Sequence, residues 1–379
     1  MNDSSISSCK TVYFLGAGFS FEASVPLQSQ ILDNIRNMEF GSLPEKLQNY
    51  CYEHQGRTIS FVNRIFSESH NPALEDVFTL LDESISNHRY CLGYEPYILE
   101  QIRRSFYCII VALFLAHEEK IRKKTLSFYE NISQYLIKQR LDMGLNSHSF
   151  SIISSNWDCI FDNSLYRAFP QKNKKKLDID YCCFTHPFEG TKRHTPSILQ
   201  RAKRIYNIKF MKLHGSVNWT VCPNCCCLFV GLGSDQEKSY EYLMGKVCPE
   251  CTKVMKIKDE VFNLPLLEPL IISPTFMKQF DNPHIAYIWH NAYLELSKAE
   301  KVVFIGYSLP YADYHLRTLL KRAIQPNTEI EVVLVKNDKA PKSSKTQNYY
   351  AANRYKEFFG PKNLKFHFNG VKGYFNTFI

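Results

Sequence analysis

The chain has 379 residues, 45% hydrophobic and 22% charged, which excludes a disordered chain and leaves ample apolar material for a buried core. Its formal net charge of +9 suits nucleic acid, acidic lipid or an acidic partner. Much of that excess sits in two local runs, KIRKKT (120–125) and QKNKKK (171–176), which read as solvated helix-end or loop charge.

In chain order, TVYFLGAGFS (11–20) is an apolar β-type run that breaks into a glycine turn, as a buried parallel strand does before a phosphate-binding loop. The N-terminus carries no basic start, apolar core and cleavage site of a secretory signal. The 13 cysteines then point to a reducing compartment, the cytoplasm, with thiols free or metal-bound. From 28 to 145 the pattern is helical. NPALEDVFTLLDESI (71–85) begins with Asn71 as N-cap and Pro72 in the first turn, and Leu74, Val77, Phe78 and Leu81 follow helical spacing. The longest apolar run, FYCIIVALFLA (106–116), is too short to span a bilayer and reads as a buried helix.

SFSIISSNWD (149–158) is again a strand ending in a polar turn, followed by the helix CIFDNSLYRAF. LDIDYCCFT, IKFMKLHGS and PLIISPT are strand-like, and a helix surrounds AYIWHNAYLELSKA. KVVFIGYSLP (301–310) is a strand entering a glycine turn before the helix ADYHLRTLLKRAI, and IEVVLVKND (330–338) is the next strand. Strands alternating with helices predict an α/β fold with a Rossmann-like open parallel sheet, whose ligands sit at the carboxyl ends of strands. The reading is one domain over 1–379, with a helical insertion at 28–145 and a small zinc-ribbon module at 217–258.

Three constellations carry chemistry. Gly16-Ala17-Gly18-Phe19-Ser20 allows backbone N–H groups to approach a diphosphate, though the third glycine of the common dinucleotide fingerprint is missing. Cys222-x-x-Cys225 and Cys248-x-x-Cys251 are two thiolate knuckles with 22 residues between them, the pattern of a structural zinc ribbon. Cys226 and Cys227 offer neighbouring thiols as alternatives. Four thiolates close a tetrahedral shell, which releases His214, eight residues before Cys222, for work as a general base or for a structural bond to a carbonyl. Asn156 and Asp158 alternate along a strand-end turn, where Asp158 alone would be an ordinary helix cap.

The ordered set GAGFS, SNWD, KLHGS, the cysteine knuckles, IGYSLP and VKND resembles the sirtuin superfamily from residue 11 to about 338, most closely its bacterial antiviral-defence branch. The resemblance implies roles. Gly16, Ala17, Gly18, Phe19 and Ser20 would hold the NAD diphosphate. Asn156 would position the nicotinamide ribose or a water, Asp158 would bind the carboxamide, and His214 would be the catalytic base. Gly306 and Ser308 would contact the dinucleotide, and Asn337 the adenosine ribose. Two departures matter. Pro26 is followed by Leu27-Gln28-Ser29 in place of the deacylases' Asp-Phe-Arg, and LIISPTFMKQF lacks their Phe-Gly-Glu clamp for an acyl-lysine peptide.

The expectation is therefore an NAD+ glycohydrolase that makes nicotinamide and ADP-ribose, with NAD as substrate and zinc as structural metal. The resemblance further implies a gated effector of antiviral defence, a homo-oligomer or a partner ATPase of HerA type, nucleic acid only indirectly, and no membrane. The enzyme alternative is an NAD-dependent deacylase or ADP-ribosyltransferase. The non-enzyme alternative is a nucleotide-sensing or nucleic-acid-binding subunit.

Overall fold

The computed structural model describes residues 10–41, 45–66, 72–121, 126–145, 149–169, 177–186, 205–233, 245–257, 265–276, 278, 280–335, 348–360 and 362–379. The strands, in chain order, are β1 (Thr11–Leu15), β2 (Phe150–Ser154), β3 (Leu177–Asp180), β4 (Thr185–His186), β5 (Tyr206–Lys212), β6 (Gly215–Val221), β7 (Leu228–Val230), β8 (Glu268–Ile271), β9 (Lys301–Ile305), β10 (Glu329–Val333) and β11 (Leu364–His367). Seven form a parallel sheet in the order β11-β10-β9-β1-β2-β5-β3. Its strands are near-continuous apolar runs such as FSIIS and KVVFI, because helices cover both faces and leave no solvent side for a polar alternation. A smaller sheet, β4-β7-β6-β8, carries the cysteine knuckles.

The helices are α1 (Ala17–Phe21), α2 (Ile31–Arg36), α3 (Glu45–Ile65), α4 (Leu74–Ser86), α5 (Pro96–Ile121), α6 (Leu126–Asp142), α7 (Ile160–Ala168), α8 (Pro249–Ile257), α9 (Pro283–Ser297), α10 (Tyr314–Ala323), α11 (Asn348–Phe359) and α12 (Gly370–Phe375). Helices α2 to α6 stand between β1 and β2, over the stretch expected to be a helical insertion. Helix α5 is its axis. Phe106, Ile109, Ile110 and Leu113 are buried, and α3 and α4 pack against it. Among the described residues no helix is long and apolar enough to cross a membrane.

Helix α4 starts at Leu74, later than the sequence pattern suggests, because Ala73 has an extended backbone (φ −63°, ψ 141°); the expected cap, Asn71, lies outside the described residues. Helix α9 starts where a capping signal stands, with the Asn282 side chain accepting from His284 N at 3.0 Å and Pro283 in the first turn.

β1 pairs with β2 on one side and β9 on the other, so Leu15, Ser154 and Ile305 end in line, with Lys212 of β5 beside Ser154. The strand order reverses between β1 and β9, which opens a crevice at their carboxyl ends. Two glycine turns close in there: Gly16 N donates to Ile305 O at 3.0 Å and Gly18 N to Gly306 O at 2.8 Å. Gly306 has φ +65°, and a Cβ on it would stand 2.2 Å from Phe19 N. Gly306→Ala is therefore expected to destabilise the fold by roughly 2 kcal/mol or more, through left-handed strain and forced separation of the two turns. Thermal unfolding measures this; a variant as stable as the parent would show that the two turns can part freely.

Candidate functional site

Beyond those strand ends lies a cavity of about 620 Å³. Its floor comes from the loops after β1 (Ala17, Val25–Ser29), β2 (Ser155–Asp158), β5 (His214) and β9 (Gly306–Ser308). The insertion supplies a wall, Pro72–Glu75 and Phe114, and residues 272–276 with Lys278 supply another. These two walls are tied together. Ser273 Oγ donates to Asp82 Oδ2 at 2.9 Å, and Phe276 N donates to Thr79 Oγ1 at 3.1 Å.

Asn156 and Asp158 both neighbour Ser20. Asn156 Nδ2 donates to Gly16 O at 2.9 Å and to Ser20 Oγ at 3.1 Å, and the Ser20 hydroxyl favours the charged form of Asp158. A carbonyl can only accept, so the amide orientation is set, and Asn156 Oδ1 is buried without a hydrogen-bond partner among the described residues. Such an acceptor costs about 1–3 kcal/mol unless something donates to it. Beneath, buried Lys212 donates to the Asp158 carbonyl and forms an ion pair with Asp162 at 3.1 Å.

Burial raises the Asp158 carboxyl to about 6, against the opposing pull of Lys212 and the Ser20 hydroxyl. The folded state thus holds this proton more tightly than the unfolded chain, whose carboxyl titrates near 3.8. The stabilising contribution is fully present below 3.8 and is lost as pH rises through about 6. Asp158→Asn should then match the parent near pH 4 and exceed it by about 3 kcal/mol at pH 7.5. Denaturant titrations at the two pH values check this; a gap that does not widen with pH refutes it.

His214 follows β5 directly. Its Nδ1 lies 3.2 Å from Ser155 O, so Nδ1 carries the proton, and Nε2 accepts from Lys278 Nζ at 3.3 Å. Lys278 also donates to Asp313 Oδ1 at 2.7 Å, and Tyr307 OH donates to Asp313 Oδ2 at 3.0 Å. Burial, then the Lys278 ammonium, lower the imidazole to about 4, so it is neutral at physiological pH. Gly215 and Ser216 are the start of β6. The turn lies at Leu213–His214, and Gly215, at φ +70°, is where β6 begins, since a Cβ there would stand 2.0 Å from Leu270 O.

Of the glycine-loop residues, Ala17 lines the cavity, whereas the Gly16 and Gly18 amides donate to the carbonyls of Ile305 and Gly306. The Phe19 ring packs on Tyr129 and Phe161 in the core, and Tyr129 OH anchors Phe19 O at 2.7 Å. Gly306 and Ser308 line the cavity. Asn337 lies outside the described residues.

The sequence reading did not include Lys278, Asp313, Tyr307 or the walls from α4 and α5. An aspartate shortly after the IGYSLP turn was a weak pointer to Asp313. A lysine in a loop gives none.

The four predicted metal ligands come together. Cys222, Cys225, Cys248 and Cys251 place their sulfurs within 4.8 Å of one another, with Cys222–Cys251 at 3.8 Å and Cys225–Cys248 at 3.6 Å. A zinc–sulfur distance of about 2.3 Å in a tetrahedron needs sulfurs about 3.8 Å apart, so these thiols fit one zinc ion. Cys226 is turned outward at φ +57° and Cys227 is not in the cluster. The cluster is seated on Phe229 and Leu267, and none of the four lines the cavity. β6 separates the two sites: it leaves the cavity after His214 and reaches the knuckle at Cys222, a run of roughly 20–25 Å.

No protein-family model matches the chain, and no curated protein matches it in sequence. Among solved structures it is similar to Sir2Tm bound to a propionylated peptide (13% identity, 97% of this chain and 91% of that one, TM-score 0.37). It is likewise similar to Sir2 with a p53 peptide and NAD+ (13%, 97% and 90%, TM-score 0.38) and to a Sir2 homolog–NAD complex (12%, 96% and 85%, TM-score 0.39). Likeness at these values says nothing of what this chain binds or does.

Proposed function

We propose that the chain is an NAD+ glycohydrolase. The observation that carries this is the convergence of Asn156, Asp158 and His214 on one cavity at the strand-order reversal of a parallel sheet. The order of the motifs that resemble sirtuins adds NAD as the substrate. In this reading the C1′–nitrogen bond of the nicotinamide riboside breaks and its electron pair leaves with nicotinamide. Water adds to the oxocarbenium-like carbon, and its proton passes to His214 Nε2, a neutral imidazole nitrogen. Asn156 Oδ1 accepts a hydrogen bond from that water or from a ribose hydroxyl. Asp158 holds the leaving carboxamide. The cavity supplies proximity and removes bulk water.

Water is favoured over an acyl-lysine acceptor by residues 273–276. This stretch, where the resemblance would place a peptide clamp, is bonded to Asp82 and Thr79 of α4. Incubating purified protein with NAD, with and without acetyl-lysine peptide, and measuring free nicotinamide tests the reading. Release without peptide is expected. Strict dependence on peptide establishes the deacylase alternative instead. Control by a HerA-type ATPase or by oligomerisation, and a role in antiviral defence, follow from the resemblance alone and belong to the same proposal; adding candidate partners to this assay and following the rate tests the gating.

A further inference from the structure

Among the described residues of the cavity wall, Lys278 touches His214 at the nitrogen its chemistry would use. The ammonium lies 3.3 Å from Nε2 and 2.7 Å from Asp313 Oδ1. Lys278 and Asp313 are 8% and 12% exposed in their side chains, so the contact is shielded from water and is not a screened surface pair. The far side of Asp313 is held by Tyr307 OH at 3.0 Å, and Tyr307 is itself buried. A continuous chain therefore runs Tyr307–Asp313–Lys278–His214–Ser155 O. Each end is anchored in backbone that follows a strand of the main sheet, β9 or β2.

We propose that Lys278 is a positioning residue for His214, selecting the Nδ1–H tautomer and keeping Nε2 as the ring's sole acceptor. The argument is one of donors. An ammonium has three donors and no acceptor, so only an unprotonated Nε2 satisfies this contact, and Nδ1 must then carry the proton toward Ser155 O. The charged and titratable groups that face the imidazole are Lys278 from the loop after β8 and Asp313 and His315 at the start of α10; the Trp289 ring of α9 lies 6.4 Å away. Lys278 and His315 act against a protonated ring and Asp313 favours it, with burial the largest influence. Lys278 keeps Asp313 as a second partner, so Nε2 can exchange the ammonium for a substrate proton without leaving the lysine unpaired. The proposal concerns the site read above as a hydrolase, and its role in turnover rests on that reading; the tautomer assignment does not.

Histidine resonances of isotopically labelled protein, with the His214 signal identified by its loss in His214→Gln, give the test. In the parent, His214 should titrate at about 4 with the proton on Nδ1. Lys278→Met should raise that midpoint by about one pH unit or more, because a like charge is removed while burial remains, and weaken the preference for the Nδ1–H tautomer, which Ser155 O then holds alone. Lys278→Arg should keep it low. Lys278→Gln is the second neutral variant, should the methionine protein fold poorly. A midpoint unchanged in both neutral variants, or a tautomer population unchanged in Lys278→Met, would overturn the proposal; glutamine can still donate to Nε2 and is read by its midpoint alone. Nicotinamide release read on the same proteins separates the two claims: a parent that cleaves no NAD with or without candidate partners, while Lys278→Met shows the shifted resonance, refutes the hydrolase and upholds the positioning role.

Discussion

His214→Ala is expected to lower nicotinamide release from NAD by about a hundredfold or more, the usual cost of losing a positioned acid–base group. The protein should still fold with its zinc. The imidazole is neutral and makes two bonds, to Ser155 O and Lys278. Its removal leaves the carbonyl without that contact but leaves Lys278 paired with Asp313, so the stability cost should be about 1–3 kcal/mol. The cysteine cluster lies at the other end of β6 and shares no bond with His214, so zinc content should be one per chain, as in the parent. The measurements are initial rate, metal content and melting temperature on one preparation. Full activity in His214→Ala removes it from catalysis, and loss of zinc would make it a metal partner after all.

Cys222→Ser should do the reverse, taking zinc and stability together. Cys222 is fully buried and sits at the end of β6, with its sulfur 3.8 Å from that of Cys251. Removing one thiolate leaves three ligands and opens a closed shell. Metal binding and local folding are one equilibrium in such modules. A loss of at least about 3 kcal/mol is expected, roughly 4 °C in melting temperature for a chain of this length. Activity should fall as a consequence, because β6 also positions His214 at its other end. Full zinc occupancy and an unchanged melting temperature in Cys222→Ser would show that the cluster does not hold the module together.

The two knuckles were legible because cysteine spacing is itself the chemistry: a C-x-x-C turn presents two thiolates whatever surrounds it, and two such turns close one tetrahedron. The strands of the main sheet were legible for a similar reason, since FSIIS and KVVFI have no polar face to show and can only be buried on both sides. The last strand and helix are less legible in the sequence. β11 and α12 are four and six residues long, too short for a periodicity to emerge, and β11 is recognisable only once β10 is there to pair with it.

Site residues divide along the same line. Asn156, Asp158 and His214 stand at strand ends, and a strand end is a property of local sequence. Their partners are long-range. Ser20 meets Asn156 across 136 positions, Lys278 meets His214 across 64, and Asp82 of the insertion meets Ser273 across 191. The glycine loop shows the limit most clearly. Its composition suggested amides free for a diphosphate, but Gly16 and Gly18 are there so that two turns can touch, a need that exists only because β1 and β9 are neighbours. By itself the sequence determined the parallel sheet, the four-cysteine cluster and the polar residue types at the strand ends, all of which follow from short-range spacing. Only the tertiary structure decided which helix walls the cavity, which way the Asn156 amide faces and which cation holds His214 Nε2. Those are contacts between segments far apart in the chain, and they acquire an energy only when the fold brings the segments together.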